Sequence, residues 1–95
     1  MVQDNSNVEL KFLSTFYNLT KKEVLSIKVP EEADIDWVLD EIKITLGNEI
    51  VAHIRNHLDF VVIAVNNVDC RQLNGLKTRI KNGDRIVIGH IIAGG

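Results

Sequence analysis

Arg85-Ile86-Val87-Ile88-Gly89-His90-Ile91 decides how this chain folds. Read as a strand, it puts Ile86 and Ile88 on one face and Val87 on the other, because successive side chains alternate across the backbone. A strand that is apolar on both sides belongs inside a sheet, not at its edge. Its neighbours lie upstream. Val8, Leu10 and Phe12 alternate with Glu9 and Lys11, the pattern of a half-buried strand running to about Ser14. Val24-Leu25-Ser26-Ile27-Lys28-Val29 alternates again, with Leu25, Ile27 and Val29 sharing a face. Pro30 ends that run, since proline cannot donate to a ladder. These two runs are expected to form an antiparallel hairpin, with the final strand beside the first. Thr15 to Thr20 is ambiguous: Asn18 and Thr20 are turn material and Phe16-Tyr17 is more strand-like. Phe60-Val61-Val62-Ile63-Ala64-Val65 is a continuous apolar run, expected as a strand buried on both faces, or nearly so.

Between the hairpin and that run the period changes. Asp34 can cap a helix, and Glu31, Glu32, Asp34 and Asp36 suit the positive end of its dipole. Ile35, Val38, Leu39, Ile42 and Leu46 then recur at three- and four-residue steps, one apolar stripe of an amphipathic helix. Trp37 falls off the stripe, as a partly exposed edge or a partner contact. Gly47 is a C-cap, and a short second helix carries Ile50, Val51 and Ile54. Asn66-Asn67 can take left-handed turn geometry, Val68-Asp69-Cys70 is a short return strand, and Asn74-Gly75 and Asn82-Gly83 are further turns. The order is strand, strand, helix, short helix, strand, short strand, strand. One main helix crossing between two hairpins on one sheet face is an α+β roll.

Composition narrows the function. Ninety-five residues make one domain, with a core but no room for a substrate cavity and lid. The net charge is −2 and the basic residues are scattered, unlike a nucleic-acid footprint. No apolar run approaches the roughly 20 residues of a membrane span, and the polar start lacks a signal-peptide pattern. A single cysteine, Cys70, excludes an internal disulfide and fits a reducing cytoplasm. The expected organisation is a loose arm at 1–7, a domain at 8–90 and a flexible tail at 91–95. That tail, Ile91-Ile92-Ala93-Gly94-Gly95, cannot pack its two glycines. It does provide a slender end with a free carboxylate, suited to threading into another protein's active site.

Val65-Asn66-Asn67-Val68-Asp69, Gly75-Leu76, Asn82-Gly83-Asp84 and Ala93-Gly94-Gly95 together resemble the β-grasp, ubiquitin-like sulfur carriers. This family includes the small archaeal modifier proteins, the molybdopterin synthase small subunit, the thiamine sulfur carrier and the ubiquitin-related modifier of tRNA thiolation. The likeness spans the element order of the whole chain and is specific over about the last thirty residues. It implies a β-grasp roll, a mixed sheet of four to five strands on one main helix. Three positions depart from the pattern. Asn67 stands where the family usually has Gly. His90-Ile91 stands where many relatives have Pro-Pro, a pair that stiffens the tail, and Gly89 stands where a bulky residue is common, thinning one contact surface.

The resemblance also implies a chemistry. An ATP-using adenylyltransferase of the ubiquitin-activating type would adenylate the carboxylate of Gly95, and a sulfur or amine nucleophile would then attack it. Gly95 would carry a thiocarboxylate or an isopeptide bond, Gly94 would give clearance, and His90, Ile91, Ile92 and Ala93 would be gripped by the partner. The chain would bind no cofactor or metal and would be a substrate, not an enzyme. Acceptors range from the molybdopterin synthase large subunit to target-protein lysines, with no nucleic acid and no membrane. The alternatives are a dedicated molybdopterin synthase small subunit and a non-catalytic β-grasp module that docks through its sheet. Other constellations carry less. His53 and His57 are four apart on one helix face, a metal-ligand spacing with no Cys or carboxylate beside it, and read as solvated. Cys70 reads as structural, and the acidic residues from Glu31 to Glu41 as a solvated helix end.

Overall fold

Alternation governs the first strand. In β1 (Asn7–Phe12), Val8, Leu10 and Phe12 are buried while Asn7, Glu9 and Lys11 are exposed. The computed structural model describes residues 7–13, 16 and 24–90. Of the arm expected at 1–7, residues 1–6 lie outside the described residues, as do the turn residues Asn18 and Thr20 and the tail at 91–95. Asn7, expected in the arm, is instead the first residue of β1. Its N–H donates to Asn82 Oδ1 at 3.0 Å, and its carbonyl accepts from the Gly83 N–H at 2.9 Å. The Asn82-Gly83 turn thus extends the ladder one residue past the alternating pattern.

β2 (Val24–Lys28) pairs antiparallel with β1, matching Val8 with Ile27 and Leu10 with Leu25. α1 (Ile35–Leu46) starts where Asp34 Oδ1 accepts from the Trp37 N–H at 2.9 Å, an N-cap bond. Its buried residues are Ile35, Val38, Leu39 and Ile42, four of the five residues of the stripe read from the spacing; Leu46, the fifth, is half-buried in the last turn. The Ile35 N–H donates to the Thr78 carbonyl and the Ile80 N–H to the Ala33 carbonyl, so this helix start is tied to the segment before the last strand. Gly47, at φ 111°, breaks the helix, and α2 (Asn48–Asn56) buries Ile50, Val51 and Ile54. β3 (Val61–Val65) joins β4 (Val68–Asp69) through Asn66 and Asn67 at φ 52° and 72°. Both left-handed residues are the type I′ hairpin geometry. Two short 3₁₀ turns, Cys70–Gln72 and Gly75–Lys77, lead to β5 (Arg85–His90).

The sheet order is β2-β1-β5-β3-β4, with β1 and β5 parallel and the other pairs antiparallel. This is the mixed five-stranded roll of the β-grasp fold. Both helices contribute to one core with Val8, Leu10, Phe12, Ile63, Ile86 and Ile88. One expectation is corrected. β3 is fully buried only at Val61, Ile63 and Val65; Val62 and Ala64 are half-buried, and Phe60 lies outside the strand, 57% exposed. Both helices pack on one face of the sheet, and among the described residues no layer covers the other.

Candidate functional site: the root of the C-terminal segment

β5 is held along both edges. Glu9 to Phe12 of β1 pair with Arg85 to Ile88, and Val61 to Val65 of β3 pair with His90 to Ile86. The Leu13 N–H adds a bond to the Ile88 carbonyl at 2.9 Å. His90 is therefore the last rung of a central strand, opposite Val61. Ile91, Ile92, Ala93, Gly94 and Gly95, the residues on which the sequence places the reaction, lie outside the described residues.

The two positions before the tail differ from expectation in what they touch. Gly89 is buried, and a Cβ built there would stand 2.7 Å from Leu13 Cδ1 and 3.1 Å from Leu13 Cβ. The missing side chain does not thin the surface, because Leu13 covers the place. His90 has the parity of Ile86 and Ile88, so its ring turns towards the helices. It stacks on Phe16, with centroids 4.3 Å apart and planes 19° from parallel. Its Nε2 lies 2.8 Å from Nε2 of His53, a hydrogen bond between α2 and the end of β5. His53 in turn meets Phe16 edge-on at 5.6 Å, and His57 stands 4.8 Å from His53 between ring centroids. Burial, together with His53 and His57, holds the His90 pKa below the usual histidine value. His53 is not a solvated helix histidine, as its spacing read; only His57 is exposed.

The remaining candidates stay structural. Cys70 is buried beside a hollow of about 140 Å³ lined by Leu58, Val61, Ile63 and Leu76. Burial and then Asp69 push its thiol up, so it stays protonated and weakly nucleophilic. Asp36 pairs with Arg55 at 2.9 Å and Lys77 at 3.7 Å, and Asp40 with Arg55 at 3.5 Å. Trp37 packs half-buried against the core. Among the described residues no three His, Cys, Asp or Glu side chains are grouped to hold a metal ion, and no helix is long and apolar enough to cross a membrane. The meeting of Phe16, His53 and His90 was not legible in the spacing. The available signal was that all three histidines of the chain fall on α2, at its C-cap or at the end of β5.

Known proteins place this geometry in context. The ThiS family profile matches residues 10–95. The fold resembles that in the Amycolatopsis orientalis BexX/CysO complex, with a TM-score of 0.78, 23% identity, and coverage of 93% of this chain and 99% of that one. It resembles the Haloferax volcanii HVO 2177 protein, with a TM-score of 0.75, 20% identity, and coverage of 100% and 92%. It also resembles small archaeal modifier protein 1 from Methanosarcina acetivorans, with a TM-score of 0.72, 18% identity, and coverage of 95% and 97%. No curated protein matches the sequence. With a match over nearly its whole length and the same mixed roll beneath it, the chain belongs to the ThiS family of β-grasp, ubiquitin-like sulfur carriers.

Proposed function

We propose that the reactive group of this carrier is the carboxylate of Gly95, activated by a separate adenylyltransferase and then converted to a thiocarboxylate or joined to a lysine amine. One observation carries the reading. β5 is hydrogen-bonded on both sides in the middle of the sheet, so the segment after His90 starts from a rigid strand end. The six residues His90 to Gly95 can reach about 20 Å.

The carboxylate oxygen attacks the α-phosphorus of ATP and pyrophosphate leaves. A sulfur nucleophile, or a lysine amine, then attacks the acyl carbon and AMP leaves. The chain contributes no acid, base or metal; it is a substrate, and ATP binds the activating enzyme. Gly94 keeps the acyl carbon unhindered, and the backbone passes a narrow channel because neither terminal residue has a Cβ. Ile91, Ile92 and Ala93 are the grip for that channel. The Amycolatopsis relative was solved in a complex, which supports a protein partner here. Acceptors in this reading are a synthase large subunit or target-protein lysines, in the cytoplasm.

Intact-mass measurement after incubation with the activating enzyme, ATP and a sulfur donor tests it. The full-length chain gains the mass of one oxygen replaced by sulfur. Deleting Gly95 withdraws the carboxylate by roughly 3.5 Å, beyond the ~3–3.5 Å window for attack, and abolishes the shift. Gly94→Val nearly does so. A deletion variant modified as readily as the full chain would rule out the terminal carboxylate and leave a binding module.

A further inference from the structure

We propose that His53 is a positioning residue for the tail's reaction: its bond to His90 sets the direction in which the segment after β5 leaves the sheet, and acidification releases it. This rests on the carboxylate reading above. His53 lies on α2, thirty-seven positions from His90, yet the two Nε2 atoms meet at 2.8 Å over Phe16. His90 is the last rung of β5, so a constraint on its ring constrains the chain where the tail begins.

The proton arrangement follows from what is buried. Among the described residues, His90 Nδ1 is buried with no partner. A stranded lone pair is better tolerated than a stranded N–H. The neutral His90 therefore carries its proton on Nε2 and donates it to His53 Nε2. Protonating His53 at Nε2 sets two N–H groups against each other. Protonating His90 creates a buried Nδ1–H with no acceptor. Either event breaks or strains the bond, so the bond is intact when both rings are neutral and is lost as pH falls. Among the described residues, the titratable groups acting on His90 are His53 of α2 and His57 at its C-cap. Glu49 stands one turn before His53 on that helix, Val61 is the neighbour across β3, and Phe16 carries no charge.

A metal held by the two rings fits less well. Two imidazoles bound to zinc at ~2.0–2.1 Å with tetrahedral angles stand roughly 3.3 Å apart at nitrogen, wider than the 2.8 Å here. A ligating histidine also donates its other ring N–H to a fixed acceptor, which His90 Nδ1 lacks among the described residues.

The test combines ring-nitrogen NMR of the full-length protein between pH 5 and 8 with thiocarboxylate formation by wild type, His53→Leu and His53→Gln. Glutamine can accept the His90 proton through Oε1 and does not titrate. Each rate is compared with that of the glutamine variant at the same pH, so the activating enzyme's own pH dependence cancels. At neutral pH the leucine variant shows a KM for the carrier raised roughly fivefold, the worth of one net hydrogen bond, with kcat unchanged. The glutamine variant restores the KM, and as pH falls wild type, with two titrating rings, loses it before the glutamine variant, with one. The wild-type ring shifts show one protonated and one bare Nε2 near neutrality, changing over the same pH range. A leucine variant with the wild-type KM and pH profile overturns the positioning role while leaving the carboxylate reading intact. Absence of modification in wild type overturns both. A stoichiometric zinc adduct that the leucine variant loses replaces the bond with a metal site.

Discussion

Asp84 is a buried carboxylate whose two oxygens are both occupied. Oδ1 accepts from Asn66 Nδ2 and Oδ2 from the Lys81 N–H, each at 2.9 Å. Asn66 Oδ1 passes the connection on by accepting from the Arg85 N–H at 3.0 Å, and the Glu9 N–H donates to the Asp84 carbonyl at 3.2 Å. One residue thus joins the β3–β4 turn, the turn before β5 and the start of β1. The Asn82-Gly83-Asp84 pattern was visible in the sequence as a turn, but the burial of its carboxylate was not. Asp84→Ala strands two donors and should cost about 2–4 kcal/mol. Urea unfolding with an unchanged slope and a lowered midpoint would show it; an unchanged midpoint would mean that water replaces both bonds at no cost. Gly89 and His90 teach the same lesson. Their residue types were plain in the chain, while the facts that Leu13 fills the space over one and Phe16 receives the other depend on contacts distant in sequence.

The strands and helices were largely legible because their periods are local properties. The stripe of α1, the Asp34 cap and the Asn66-Asn67 turn all occur where spacing and turn chemistry placed them. β3 is the exception. An apolar run cannot say which of its faces a second layer will cover. Ile63 lies on the covered face, 2% exposed, and opposes Ile88 of β5. Ile63→Ala should therefore cost roughly 2–5 kcal/mol, through lost burial and a residual cavity. Val62→Ala, on the half-covered face, should cost clearly less. Equal losses in chemical denaturation would show that the open face is packed as tightly as the core.

Stability as a function of pH integrates these contacts over the whole protein. His90 resists protonation when folded but titrates normally, near 6.5, when unfolded. Below that value the unfolded chain binds more protons, so acid favours unfolding. The contribution of His90 is complete above about pH 6.5 and is lost as pH falls through the depressed folded value. The melting temperature should decline in that window, and His90→Phe, which keeps an aromatic ring on Phe16, should flatten the decline. A parallel decline in both proteins would mean that other groups set it. Asp69, whose carboxyl the Arg71 side chain holds below its usual range, acts only at lower pH. The sequence by itself determined the element order, the hairpin of the first two strands, the inner place of the last strand and the Gly-Gly ending. Each of these rests on alternation, helical period or turn residues, which act between near neighbours. Only the tertiary structure decided which face of β3 is open, what fills the space at Gly89, and that His53 holds the strand end from which the tail departs. Those contacts join residues tens of positions apart, and no local period records them.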